Sequence, residues 1–411
     1  MREMKDSGVE WIGKIPKEWN LTKIGILYTL RNTKVNDKDY PPLSVTKLGV
    51  TPQLETVAKT NAHDARKLVK KGDFAINSRS DRKGSCGISN YDGSVSLINI
   101  VLTPKEKMNP NYYDWLFHTV QFAEEFYKNG HGIVDDLWTT NWQDMKKIIL
   151  TTPPLEEQQQ IADFLDSKCS EIDAITADIQ KEITVLEDYK KSVITEAVTK
   201  GLNPNVEMKD SGIEWIGKIP KEWRLKKLKY IVSERNENAM MKADDKYIGL
   251  ENVTSGKNEV SFSETEYLPS IQSVCKVNDV MFNKLRPYLN KVIICPYNCF
   301  CTSEFLIYKE FKGDIRFLRY FMTCDGFINK VTASTYGTKM PRANPGFINN
   351  LYICYCEKKE QTEIANYLDS TCSDIDATIA DKQKQLEILA DYKKSLIYEY
   401  VTGKKEVPCH E

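Results

Sequence analysis

No apolar run in the chain approaches the roughly 20 residues that a transmembrane helix needs, so no helical membrane span is expected. The opening MREMKDSGVEW is charged and lacks an apolar core. It does not read as a secretory signal, and a cytoplasmic location is expected. Histidine is scarce: His63, His118, His131 and His410 are all there are, and none has a matched copy elsewhere. Dinucleotide, P-loop, zinc-protease and nucleophile-elbow patterns are missing, so no active site is expected. The Asn-Pro-x-aromatic runs at 109–112 and 344–347 only approximate the motif of amino-methyltransferases. The 11 cysteines follow no framework spacing and read as reduced thiols. Cys295, Cys299 and Cys301, with Cys354 and Cys356, fit no standard zinc pattern and sit among Ile, Tyr and Phe. Buried strand thiols are expected there, and no metal.

What the chain does have is a duplication. Residues 4–19 read MKDSGVEWIGKIPKEW and residues 208–223 read MKDSGIEWIGKIPKEW, with one conservative change. The correspondence continues. GDFAINSRSDRKGS (72–85) sits where NDVMFNKLRPYLNK (278–291) sits, and YYDWLFHT (112–119) answers RFLRYFMT (316–323). EDYKKSVITEAVT (187–199) answers ADYKKSLIYEYVT (390–402). Each half is a block of about 150 residues followed by a long polar-apolar segment. The block ends are alike and the middles have diverged.

The long segments predict helices. Apolar side chains recur from Ile161 through Leu165, Cys169, Ile172, Ile175, Ile179, Ile183, Leu186, Tyr189 and Val193 to Ala197, a helical period. Ile364, Leu368, Cys372, Ile375, Ile379, Leu386, Leu389, Tyr392, Leu396 and Tyr400 repeat the phase. A rod of ~65 Å with one apolar stripe needs a partner. Its own copy is the nearest, and because domain termini lie close together the two should run antiparallel. SLINIVL (96–102) and KVIICP (291–296) read as strands; 112–128 and 315–331 read as helical. The fold class is α+β: two pseudo-twofold-related globular domains joined by two long antiparallel helices forming an intramolecular coiled coil. The expected divisions are 1–153, a helix over 154–202, 203–356, a helix over 357–405, and a tail at 406–411.

The net charge of −1 hides a division. Residues 156–200 carry −6 and 360–405 carry −3, which leaves +8 on the rest of the chain. Two basic blocks joined by a rigid acidic rod can grip an extended polyanion at two places.

SGVEWIGKIPKEW and SGIEWIGKIPKEW resemble the starts of both halves of type I restriction-modification specificity subunits. TPPLEEQQQIADFLD (152–166) and EKKEQTEIANYLD (357–369) resemble that family's entry into each long helix, although Cys356-Glu357-Lys358 replaces Pro153-Pro154-Leu155. The resemblance covers essentially the whole chain. It implies a non-catalytic subunit that binds double-stranded DNA. Two target-recognition domains would each read one half of a bipartite, asymmetric site, with the paired helices as a ruler. Two modification subunits, which bind S-adenosylmethionine, and restriction subunits, which use ATP and Mg, would be the partners. No cofactor would be bound by this chain.

The candidate DNA contacts are basic or polar and differ between the copies. In the first block they are Asn77, Ser78, Arg79, Ser80, Arg82, Lys83 and Ser85; their counterparts are Asn283, Lys284, Arg286, Tyr288, Asn290 and Lys291. Arg takes guanine bidentately, Asn takes adenine, and Lys and Ser meet phosphates. A second pair of stretches precedes the long helices. TASTYGTKMPR (332–342), with Thr335, Tyr336, Thr338, Lys339 and Arg342, resembles a loop late in the family's recognition domains. Its counterpart NGHGIVDDLWTTNW (129–142) has Asp135 and Asp136 where the basic pair would be, and offers His131, Thr139 and Asn141. Asp166, Ser170 and Asp173 recur as Asp369, Ser373 and Asp376, a polar face used twice and a candidate docking surface for two partner subunits. The four tryptophans Trp11, Trp19, Trp215 and Trp223 are expected to pack the repeated stretch as scaffold near a helix end. The rival readings are an adaptor whose blocks bind proteins and a fused enzyme.

Overall fold

The computed structural model describes residues 2–53, 65–105, 107–132, 138–261 and 268–408. The chain divides into two compact units, Met1–Ile179 with Lys384–Glu411, and Gln180–Gln383. Asp135 and Asp136 lie outside the described residues. Among those described, no helix is long and apolar enough to cross a membrane.

The two units are built alike. In the first, a sheet runs Cys86–Ile88, Phe74–Asn77, Asn99–Pro104, Tyr28–Leu30, all antiparallel. In the second, Val292–Ile294, Val280–Asn283, Phe305–Lys309 and Ser233–Glu234 follow in the same order. Two helices cover each sheet, Pro110–Phe117 with Val120–Lys128 and Ile315–Thr323 with Asp325–Ala333. Each stretch expected to be helical thus breaks in two. Thr119 causes the first break, since its Oγ accepts from the Phe122 amide and restarts the helix. The approximate Asn-Pro motifs are helix starts. Asn109 and Asn344 cap the amides that follow, with Pro110 and Pro345 at the first helical position.

The long helices are Leu155–Lys200 and Lys358–Val401. They begin at matched positions, so the replacement of the Pro-Pro-Leu sequence does not move the second start. Within each unit one pairs antiparallel with part of the other. In the first unit the Phe164 ring packs tilted on Tyr400 and Asp173 pairs with Lys393 at 2.5 Å. In the second, Lys190 pairs with Asp376 at 2.6 Å and Glu182 with Lys382. Numbers rise on one helix as they fall on the other. Asp173–Lys393 and Asp376–Lys190 are moreover the same pair written twice. Most of the expected stripe is buried, from Ile161 to Ile172 and from Ile364 to Ile379. Ile175, Tyr189 and Tyr392 are instead about half exposed. A helix facing one partner buries a narrow seam, so residues at the stripe's edge stay in solvent.

The repeated stretch locks helix ends. Trp19 is fully buried and its Nε1 donates to Glu157 Oε2 at 2.9 Å, in the first turn of the first long helix. Gly403, at φ +71°, ends the second long helix against the same indole and Pro16. In the second unit Trp223 Nε1 donates to Glu360 Oε2 at 3.0 Å, and Gly201, at φ +73°, sits on the Trp223 ring. Each copy of KIPKEW therefore holds the start of one long helix and the end of the other. Gln158 and Gln361 add a second matched clasp. Each donates to the carbonyl five residues earlier, Pro153 or Cys356, and accepts the amide of Asn109 or Asp314.

Candidate nucleic-acid interface

In the first unit the strand Phe74–Asn77 ends in a turn made by Asn77, whose Oδ1 accepts from the Arg79 amide at 3.1 Å. A 3-10 turn over Ser80–Arg82 follows, and left-handed backbone falls on Gly84. The second expected stretch folds onto this loop. Thr139 pairs with His131 through both backbone bonds, 2.9 and 3.0 Å, and bridges to Arg79. Ser80 N reaches Trp138 O at 3.1 Å and Thr140 N reaches Ser78 O at 3.0 Å. Two stretches about 60 residues apart in sequence thus form one surface. Arg79, Arg82, Lys83, His131 and Asn141 are exposed on it; Asn77, Ser80 and Thr139 are half-buried.

The second unit repeats the arrangement with other residues. Leu285 bridges to Arg342, which pairs with Tyr336 at 3.0 and 3.1 Å. Arg286 N donates to Pro341 O at 2.7 Å, and Ala343 N to Lys284 O at 3.0 Å. Arg286 and Asn290, at φ +51° and +48°, flank the turn Pro287–Leu289. Neither is glycine, and left-handed backbone on such side chains persists where surrounding contacts impose it. Asn283 imposes it here. Fully buried, its amide nitrogen donates to the Leu285 and Arg286 carbonyls and its oxygen accepts the Lys291 amide at 3.0 Å. Tyr288, Tyr336, Thr338, Lys339 and Arg342 are exposed; Lys284, Arg286, Asn290, Lys291 and Thr335 are half-buried.

Several expected contact residues face inward. Ser78 and Ser85 are buried, with Ser78 Oγ donating to Ile98 O at 2.6 Å. With Asn283, they shape loops. Lys291 Nζ donates to Leu250 O, Asn290 Nδ2 to Thr323 O and Thr335 Oγ to Thr332 O. Asn141 caps the helix Trp142–Met145. Arg342 is held by Glu304 at 2.7 Å, and that hydrogen bond raises the guanidinium above its ordinary range. His131 Nε2 lies 3.1 Å from Asp144, whose carboxyl is held below its usual range chiefly by its hydrogen bond from Lys147.

The residues expected on the long helices are partly engaged. Asp166 accepts from Trp115 Nε1 at 2.8 Å, and Asp369 from Arg316 and Tyr320 at 2.7 and 2.8 Å. Asp173 and Asp376 make the interhelical pairs. Ser170 and Ser373 are exposed.

Sequence reasoning missed the ion pair beneath each loop. Arg31 grips Asp73 with two bonds of 2.5 and 3.0 Å, and Arg235 grips Asp279 with two of 2.6 and 3.0 Å. Each carboxylate stands one residue before the strand that delivers the loop, and each arginine is raised above its ordinary range by its bond to that carboxylate. The signal was there: Arg-Asn at 31–32 recurs at 235–236, and Asp73 and Asp279 stand at matched places.

Duplicated α+β units, each presenting a two-stretch basic loop surface beside paired long helices, define the class, and the family described as type I restriction modification DNA specificity domain matches residues 16–185. That match covers the first recognition block and most of the first long helix, and the chain as a whole is similar to specificity subunits of type I restriction enzymes. It is 28% identical over 427 aligned positions to the type I restriction enzyme MjaVIII specificity subunit of Methanocaldococcus jannaschii, spanning 96% of this chain and 94% of that one. Its fold is similar to a chain of a type I R-M system solved in a study of complex assembly and conformational transition. The TM-score is 0.72 at 11% identity, covering 95% and 99% of the two chains. It is similar also to the HsdS subunit from Thermoanaerobacter tengcongensis, at TM-score 0.54 and 13% identity, covering 97% and 100%.

Proposed function

We propose that this chain reads double-stranded DNA for a type I restriction-modification complex without an active site of its own. Residues 1–153 and 203–356 act as the two target-recognition domains, each reading one half of a bipartite, asymmetric site. The observation that carries this reading is the matched pair of loop surfaces on duplicated scaffolds, alike in backbone plan and different in side chains. Difference at the reading surface is what an asymmetric site requires. Arg79, Arg82 and Lys83 in the first unit, and Lys284, Arg286, Lys339 and Arg342 in the second, supply phosphate and base contacts. Tyr288 and Tyr336 offer aromatic faces beside them. Ser78, Ser85 and Asn283 act from below by fixing the loops.

The paired helices set the spacer. Two modification subunits dock along them, with Ser170 and Ser373 on matched exposed faces, and carry S-adenosylmethionine; restriction subunits add ATP- and Mg-dependent steps. A target adenine swings out of the duplex into a modification subunit, not into this chain.

Exchanging residues 20–150 for another recognition domain tests the reading in the reconstituted complex. The expected result is one new half-site with the other unchanged, read as methylated positions across a genome. Both half-sites changing, or neither, refutes the division of labour. Inserting four residues beside Ala177 adds about one helical turn, ~6 Å. The gap between unchanged half-sites should lengthen; a constant gap removes the ruler.

A further inference from the structure

A core cluster of the second unit gathers four cysteines that have no counterparts in the first. Cys275, Cys295, Cys299 and Cys301 are all buried among Ile248, Met281, Ile293 and Phe305. Cys275 Sγ lies 3.1 Å from Cys299 Sγ, and Cys295 Sγ lies 3.7 Å from it. These three sulfurs are all within 4.8 Å of one another. Cys301 follows Cys299 by two on the strand Cys299–Cys301, on the same face, and stands outside that group of three.

The duplication supplies a control inside the molecule. Cys275 pairs with Cys299 across the ladder as Val69 pairs with Gly93. The Cys295 amide donates to Asp279 O as the Ser89 amide donates to Asp73 O. The same register sets Cys301 against Val95. One fold therefore accepts Val69, Ser89, Gly93 and Val95 in one copy and four thiols in the other. Cysteine is a common buried residue, and single buried cysteines need no explanation. Three converging, with a fourth beside them, at positions that the scaffold fills elsewhere with Val, Ser and Gly do.

We infer that Cys275, Cys295, Cys299 and Cys301 form a tetrathiolate zinc site that braces the core of the second unit. Zinc bound by four thiolates at ~2.3 Å sets the sulfurs ~3.8 Å apart, close to the spacing among Cys275, Cys295 and Cys299. Cys295 and Cys299 stand in a C-x3-C turn, within the usual C-x2–4-C range. The other two ligands come from different strand positions, so no second short motif marks them. Cys301 closes the tetrahedron by turning its side chain toward the other three. Four thiolates leave negative charge on the bound ion, and Lys246 stands 4.2 Å over the Tyr297 ring within that turn.

The test is metal analysis of the full chain purified under reducing conditions from zinc-supplied cells. About one zinc per chain is expected. Cobalt grown in its place should show sulfur-to-cobalt charge-transfer bands. The combined variant Cys275→Val, Cys295→Ser, Cys299→Gly and Cys301→Val writes the first unit's residues into the second and should keep the far-UV spectrum while losing the metal. The near-isosteric Cys295→Ser alone should lose most of it if the combined variant fails to fold. A chain that stays metal-free, with four thiols titrating whether or not zinc is added, overturns the inference. So does a Cys275–Cys299 disulfide found without metal, and iron in place of zinc overturns the choice of ion.

Discussion

In the first unit, the strand Phe74–Asn77 opens into a loop whose left-handed position is Gly84, and whose exposed basic side chains are Arg79, Arg82 and Lys83. In the second, the equivalent strand opens into a loop whose left-handed positions are Arg286 and Asn290, held by a fully buried Asn283. The ion pair beneath each loop, Arg31–Asp73 or Arg235–Asp279, is nevertheless the same. So are the Trp-to-Glu bond at the helix start, the glutamine clasp and the glycine at the helix end. The difference separates two jobs within one fold. Buried polar pairs and helix termini are kept because an unpaired buried charge or amide is costly. Exposed loop residues carry no such penalty, so they are where the copies diverge.

The ion pairs offer the largest expected effect on stability. Asp279→Ala strips two bonds from the Arg235 guanidinium, whose side chain is 8% exposed and keeps only the half-exposed Glu237 at 2.6 Å, and about 3 kcal/mol should be lost. Asp73→Ala should cost less, because Arg31 is 22% exposed and can be rehydrated. Urea unfolding of both variants decides this; equal losses would mean that burial does not separate the two sites. Arg286→Ala and Arg79→Ala come next, each expected to weaken DNA binding by about 1–3 kcal/mol, and each for one half-site only. Titration of the reconstituted complex at fixed salt, against duplexes with one half randomised, reads this directly. A loss that ignores which half is intact would reassign that arginine to nonspecific phosphate contact. The smallest effect concerns the helix ends. Gly201→Ala and Gly403→Ala each put a side chain on left-handed backbone, which costs ~1 kcal/mol. At Gly403 the new Cβ would also stand 2.4 Å from Pro16, whereas at Gly201 the nearest atom is a Trp223 ring carbon at 3.2 Å. Gly403→Ala should therefore be the less stable of the two, by a further ~1 kcal/mol of overpacking, and melt at the lower temperature.

Much of this was legible in the linear text. The period of the Ile161-to-Ala197 stripe marked both long helices, and the 16-residue repeat marked the duplication. The basic loops stood out because they differed where their flanks agreed. The inward turn of Ser78, Ser85 and Asn283 was not legible. Strand alternation sets which face a residue takes, but not whether another layer covers that face. Exposure at Ile175 and Tyr189 escaped for the same reason, since periodicity names a stripe and the partner's width decides how much of it is covered.

By itself, the sequence determined that two like units exist, each with a long helix, since repetition and period are properties of residue order alone. Only the tertiary structure decided which distant residues meet. Thr139 beside Arg79, Arg342 beside Leu285, and Cys275 beside Cys295 and Cys299 are set by strand register and loop closure. Those depend on how buried faces pack together, which no short stretch of chain encodes.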